Sequence, residues 1–122
     1  MKTTTGIYGT HADAESAIKE LRSFGIPDVD ISYIYVDNKG TLKDGQSDEK
    51  VSSNMGSAAT GLVAGGLIGG LVSLGINNAD AILYEALVRK GDILVIVRSD
   101  AVGTMDVFVK SNAREVREYA AK

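Results

Sequence analysis

The chain contains no cysteine, no tryptophan, one proline and one histidine among its 122 residues. Without cysteine, disulfide scaffolding, thiol catalysis and cysteine-ligated zinc are excluded, and the usage fits a reducing compartment. Charge of one sign is also scarce. The formal net charge is −3, and no run of like charge exceeds two residues. Clustered Lys and Arg, which phosphate backbones require, are absent, so nucleic-acid binding is not expected. Neither a GxGxxG nor a GxxxxGK[ST] pattern occurs, which removes the two glycine-rich phosphate cradles with a known mechanism. HExxH, EF-hand and serine-triad spacings are missing as well. Behind Met1-Lys2-Thr3-Thr4-Thr5 there is no apolar stretch of the kind a secretory leader carries. The expected location is the cytoplasm of a microbe.

What is present is ordinary globular material with one exception. Apolar residues make up 44% and charged ones 24%, enough for one domain with a real core over residues 1–122. Thr4 to Tyr8 reads as a strand. Thr10 and Asp13 have capping-box spacing and begin a helix, whose apolar face is Ala14, Ala17, Ile18, Leu21 and Phe24 and whose stop is Gly25 followed by Pro27. Asp30 to Val36 is a second strand, with Ile31, Tyr33 and Tyr35 on one face and Ser32, Ile34 and Val36 on the other. A turn at 37–40 and a polar loop to Lys50 follow, with a short edge strand near Thr41 and Leu42.

From Val51 to Ala79 no charged residue occurs in 29 positions. Within this stretch Ser57, Gly61, Gly65, Gly69 and Ser73 are spaced by four, and Gly66 and Gly70 add a second short row. On a helix such residues share one face and leave a bare groove. Five glycines between Gly61 and Gly70 cost a helix roughly 5 kcal/mol relative to alanine. The helix therefore needs close contact with another helix, either the one expected over Ala79 to Lys90 or the same helix of a second molecule. That second helix carries Ala79, Ile82, Leu83, Ala86 and Leu87 as an apolar stripe, with Tyr84 off it and free to meet a partner. The competing reading is a membrane anchor over residues 55–76, long enough to span but diluted by glycine and poorly flanked by basic residues.

Ile93 to Val97 is five consecutive aliphatic residues, the mark of a strand buried on both faces. A last helix is expected to be capped by Ser99 or Asp100 with Val102, Met105 and Val109 facing inward. Arg114 to Ala120 is read as a final strand, with a helical tail as the alternative. Without the two middle helices the order is βαββαβ, the ferredoxin-like pattern. The fold class expected is thus α+β, a ferredoxin-like sheet with a helical pair inserted at about residues 52–90. Its first and third strands are central, and its own helices cover one sheet face. Tyr8, Tyr33 and Tyr35 are candidates for the other face, covered by the insertion or by a second copy.

The sequence resembles the bacterial general stress protein 17M-like family. The likeness rests on the Ala14–Tyr33 stretch with Gly25 and Asp30-Ile31-Ser32, on the glycine-rich segment, and on Leu74-Gly75-Ile76 followed by Ala81, Tyr84, Glu85, Leu87, Gly91, Leu94, Val95 and Val97. Where the family has proline after that Gly-Ile pair, this chain has Asn77, and its glycine-rich region is shorter than in many members. The resemblance implies a stress- or cold-associated protein of unassigned biochemistry, with no catalytic residues, cofactor or metal ligands to carry over. His11, with Asp13 and Glu15 nearby, and the carboxylates Asp28, Asp30 and Asp37 are better explained as turn and helix-start residues than as a centre. The function expected is homodimerisation through the glycine helix or the sheet face. A small-molecule sensor is a third possibility.

Overall fold

The computed structural model describes residues 2–27, 30–36, 42–46, 67–101 and 103–120. Among the described residues nine elements follow one another: β1 (Lys2–Tyr8), α1 (His11–Phe24), β2 (Ile31–Val36), β3 (Leu42–Gln46), α2 (Leu67–Ser73), α3 (Asn78–Arg89), β4 (Ile93–Arg98), α4 (Thr104–Lys110) and β5 (Arg114–Ala120). The architecture is α+β. The five strands form one sheet in the order β3-β2-β4-β1-β5, and every neighbouring pair is antiparallel.

Helices lie on both faces of this sheet and divide the core in two. One cluster joins α1 and α4 to the sheet through Ala14, Ala17, Leu21, Val107 and Phe108 against Tyr8, Ile31, Tyr33, Val95 and Val97. The other joins α2 and α3 to the sheet through Leu71, Leu74, Ala81, Tyr84 and Val88 against Ile7, Ile34, Leu94 and Ile96. Strand alternation explains the division, since successive side chains of β4 point to opposite layers and Ile93 to Val97 are buried throughout. A fully aliphatic run is what such a central strand requires.

Local signals place the helices. Thr10 caps α1 by accepting from the Asp13 N–H at 3.1 Å, and Asn77 caps α3 by accepting from the Asp80 N–H at 2.8 Å. Each of α1, α2 and α3 ends at a glycine in the left-handed region, namely Gly25, Gly75 and Gly91. On β5 two residues, Glu115 and Val116, stand opposite Gly6 between the Thr5–Arg117 and Ile7–Arg114 pairs. This bulge leaves Glu115 at φ 51°.

Three expectations need correction. The buried face of α3 is Ala81, Tyr84 and Val88, whereas Ala79, Ile82 and Ala86 are exposed. The helix is rotated because the Tyr84 side chain inserts between α3 and the sheet, so Tyr84 does not face a partner. In α4 the buried residues are Thr104, Val107 and Phe108, and Met105 and Val109 face outward. Val102 lies outside the described residues, and the N-cap is Gly103 rather than Ser99 or Asp100. Finally, Tyr8, Tyr33 and Tyr35 belong to the layer beneath α1 and α4. Tyr8 and Tyr33 are buried there, and both sheet faces already carry helices of the same chain, so these tyrosines do not form an open interface.

Candidate interaction surface

Two features of the α2/α3 layer bear on function: its inner polar cluster and its outer face. The inner cluster begins with three consecutive buried threonines in β1, Thr3, Thr4 and Thr5. Alternation directs Thr3 and Thr5 toward α2 and α3. Thr3 Oγ1 donates to the Leu74 carbonyl at 2.9 Å, which fixes the end of α2. Thr5 Oγ1 lies 2.7 Å from the Tyr84 hydroxyl, and that hydroxyl donates to the Glu115 carbonyl at 2.7 Å. A phenol has one proton, so Thr5 donates and Tyr84 accepts in the first of these bonds. The bulge at Glu115 has a structural use here, since it turns the carbonyl onto Tyr84.

The cluster continues at the first turn of α3. The Asp80 carboxylate accepts from the Tyr119 hydroxyl at 2.7 Å and from the Asn77 amide at 3.0 Å, and it pairs with Arg117 Nε at 3.5 Å. Arg117 also pairs with Glu115 at 2.6 Å. Burial, and then the bond to Asp80, raise the Tyr119 phenol above its ordinary range. Contact with Glu115 and Tyr84 raises the Arg117 guanidinium in turn. These groups comprise two carboxylates, a guanidinium and two phenols, each paired with another group of the same chain. The arrangement is a clamp that holds β5 to α3.

The remaining candidates for chemistry disperse in the fold. His11 stands at the exposed start of α1 with its ring edge-on to Tyr35 at 5.1 Å, and Tyr35 in turn stacks on Tyr33. Asp28 and Asp37 lie outside the described residues, and Asp30 stands just before β2. Among the described residues no group of three or more His, Asp or Glu side chains has metal-holding geometry.

The outer face presents the small residues. Of the glycine rows, Ser57, Gly61, Gly65 and Gly66 lie outside the described residues, and Gly69, Gly70 and Ser73 fall on α2. Gly70 is half-buried, while Gly69 and Ser73 are exposed. A Cβ built on Gly69 would meet nothing within 4 Å. Helix α2 is held to the sheet layer by Leu71 and Leu74, with Ile68 and Val72 partly buried beside them, and not by its row of four-spaced small residues. Beside it, α3 exposes Ala79, Ile82 and Ala86, one face at helical spacing, with Ile82 51% exposed. No protein family, no curated protein and no solved structure matches this chain. Among the described residues no helix is long and apolar enough to cross a membrane.

The exposed β5 edge is defended against strand addition. It carries Arg114, Glu115, Arg117 and Glu118 and is bent by its bulge, the two standard protections of a sheet edge. On α3 the exposed Ala79, Ile82 and Ala86 are flanked by the Glu85–Arg89 ion pair at 3.8 Å.

Proposed function

We propose that this chain is a non-catalytic protein that associates with a second copy of itself through the outer face of α2 and α3. One observation carries the reading: the described part of the four-spaced row, Gly69 and Ser73, is exposed, and a Cβ at Gly69 would meet nothing within 4 Å, although helix glycine is costly unless a neighbour approaches closely. The adjoining exposed face of Ala79, Ile82 and Ala86 extends the row across a second helix. Small residues allow the backbones of two helices to approach, and Ile82 supplies the apolar area at the centre. Association through the sheet face is set aside, because helices of the same chain cover both faces.

The ferredoxin-like reading of the sheet, with α2 and α3 as an insertion, belongs to this proposal. It is supported by the central positions of β1 and β4 and by the pairing of β2 and β5 outside them. A stress-associated role in a microbial cytoplasm rests on the resemblance in sequence.

Light scattering on detergent-free protein tests the reading. The expected result is a dimer whose dissociation follows concentration, and a Gly69→Leu variant that stays monomeric and, at dilutions where the wild type is also monomeric, melts no lower than it, since a Cβ at Gly69 meets nothing within 4 Å. A wild-type chain that stays monomeric at high concentration rejects it.

A further inference from the structure

The four helices of the described residues end alike except in one respect. In each, the last turn closes with the paired hydrogen bonds of a left-handed cap. Gly25 N–H donates to Arg22 and Ile26 N–H to Leu21, both at 3.0 Å; Gly75 donates to Val72 and Ile76 to Leu71; Gly91 donates to Val88 and Asp92 to Leu87. At α4 the same pattern runs from Asn112 N–H to the Val109 carbonyl at 3.2 Å and from Ala113 N–H to Phe108 at 3.0 Å. Here the left-handed residue is Asn112, φ 65°, and not glycine. A side chain in that region is disfavoured relative to glycine, asparagine less than most. Three residues on, Glu115 is the other non-glycine residue with positive φ among the described residues. The connection from α4 to β5 is therefore the tight turn with the weakest backbone preference for being closed.

The strand that follows is suited to exchange. β5 is the last described strand and lies at a sheet edge. Its side chains reach Asp92 through Arg114 at 3.0 Å, Lys2 through Glu118 at 3.5 Å, and Asp80 through Arg117 and Tyr119, while Val116 and Tyr119 also rest, partly buried, against the two cores. Every described β5 side chain is exposed or half-buried. Releasing β5 vacates a complete slot beside β1 that an identical strand fills, with Tyr84 and Asp80 offered the same partners. Short hinge turns under strain are the condition in which identical elements exchange between copies.

We propose that β5 exchanges between two copies of this chain, with Ser111–Ala113 as the hinge and each β5 pairing with the β1 of the other copy. In the exchanged form Asn112 leaves the left-handed region and the hinge extends, while every β1–β5 contact is re-formed across copies. This contact differs from the α2/α3 surface and does not depend on it.

Single-cysteine chains test the proposal cleanly, because the protein has no cysteine of its own. Thr4 stands opposite Glu118 in the β1–β5 ladder. Thr4→Cys and Glu118→Cys chains are unfolded, mixed, refolded together at high concentration and oxidised. Exchange predicts a covalent heterodimer well above that from the two chains mixed after separate refolding. Equal yields overturn it. The same comparison with Lys2→Cys and Ala120→Cys, another directly opposed pair, serves if the first pair folds poorly. Asn112→Gly, which favours the closed turn, is expected to lower the heterodimer yield several-fold, and Asn112→Val, which favours the extended hinge, to raise it. Yields indifferent to both substitutions overturn the hinge assignment. Adding Gly69→Leu to both chains is expected to leave the crosslink unchanged, so loss of the α2/α3 contact and loss of exchange are read separately.

Discussion

Tyr84→Phe is the substitution whose cost follows most directly from the geometry. It removes one oxygen and no packing, since the ring stays in a site where the residue is fully buried. Thr5 and the Glu115 carbonyl lose their hydrogen-bond partner, and the Arg117 and Tyr119 side chains lose a polar neighbour. Thr5 Oγ1 is buried beneath α3 and loses its acceptor, and a buried donor without a partner costs about 1–3 kcal/mol. The Glu115 carbonyl loses its donor too, but it sits on an exposed edge residue where water replaces the phenol at little cost. The expected loss is therefore about 1–3 kcal/mol, nearly all from Thr5. A double-mutant cycle separates the terms. Thr5→Val alone leaves Tyr84 still donating to Glu115 and is expected to cost less, about 0.5–1.5 kcal/mol. Adding Tyr84→Phe to Thr5→Val then costs under about 1 kcal/mol, because no buried donor remains to be orphaned. Denaturant unfolding of the four proteins measures this, provided the slope with denaturant is unchanged. Additive costs, or a Tyr84→Phe protein as stable as the wild type, refute the argument and return Tyr84 to the surface role its sequence position first implied.

Three further outcomes follow. Gly6→Ala is expected to cost about 1–3 kcal/mol in unfolding experiments, because the new methyl falls 2.6 Å from a ring carbon of buried Phe108 and 3.0 Å from the Ala113 Cβ. Burial pushes the Tyr8 phenol from 10.0 up to about 12. Its neutral form is favoured by folding, so this contribution is complete below pH 10 and disappears as pH rises through about 12; Tyr8→Phe should flatten that alkaline loss in a pH series of melting curves. Ile82→Lys should leave monomer stability within about 0.5 kcal/mol of the wild type while raising the dissociation constant of the dimer in light scattering.

Much of the fold was legible because its signals are local. The alternation in β2, the aliphatic run of β4, the cap at Thr10 and the stop at Gly25 each follow from spacing or residue chemistry over a few positions. The faces of α3 and α4 were not legible. Helix α3 has two apolar arcs, one through Ala79, Ile82 and Ala86 and one through Ala81, Tyr84 and Val88. Periodicity counts both equally. What selects between them is nonlocal: the polar threonines of β1 provide a partner for a phenol and none for an isoleucine. A signal was present in the three successive threonines of a central strand, whose hydroxyls had to be satisfied by something facing them. In α4 the choice between the Met105–Val109 arc and the Val107–Phe108 arc is made by Gly6, whose missing side chain leaves room for the Phe108 ring. The tyrosines were assigned to the uncovered face because strand alternation gives two faces without saying which helices cover which.

The surface reading follows the same logic in reverse. A bare row of small residues was expected to be pressed against a helix of its own chain or of another. In the described part of that row, Gly69 and Ser73 remain exposed, and the larger side chains of α2 make the contacts with the sheet layer. The unused face is thus set by which arc of α2 is heavier, not by the glycines themselves.

A single cysteine at Ser73→Cys tests the central claim most directly, since Ser73 is exposed on the outward row, a thiol is small enough to leave that row open, and no native thiol competes. Helices that pack through such rows lie about 8–10 Å apart, so two facing copies of α2 should form a disulfide-linked dimer on mild oxidation, with a yield that falls on dilution. A cysteine at Ser23→Cys, exposed at the end of α1, should crosslink little. No crosslink at Ser73 in concentrated protein, or a higher yield at Ser23, would contradict the assignment of this surface.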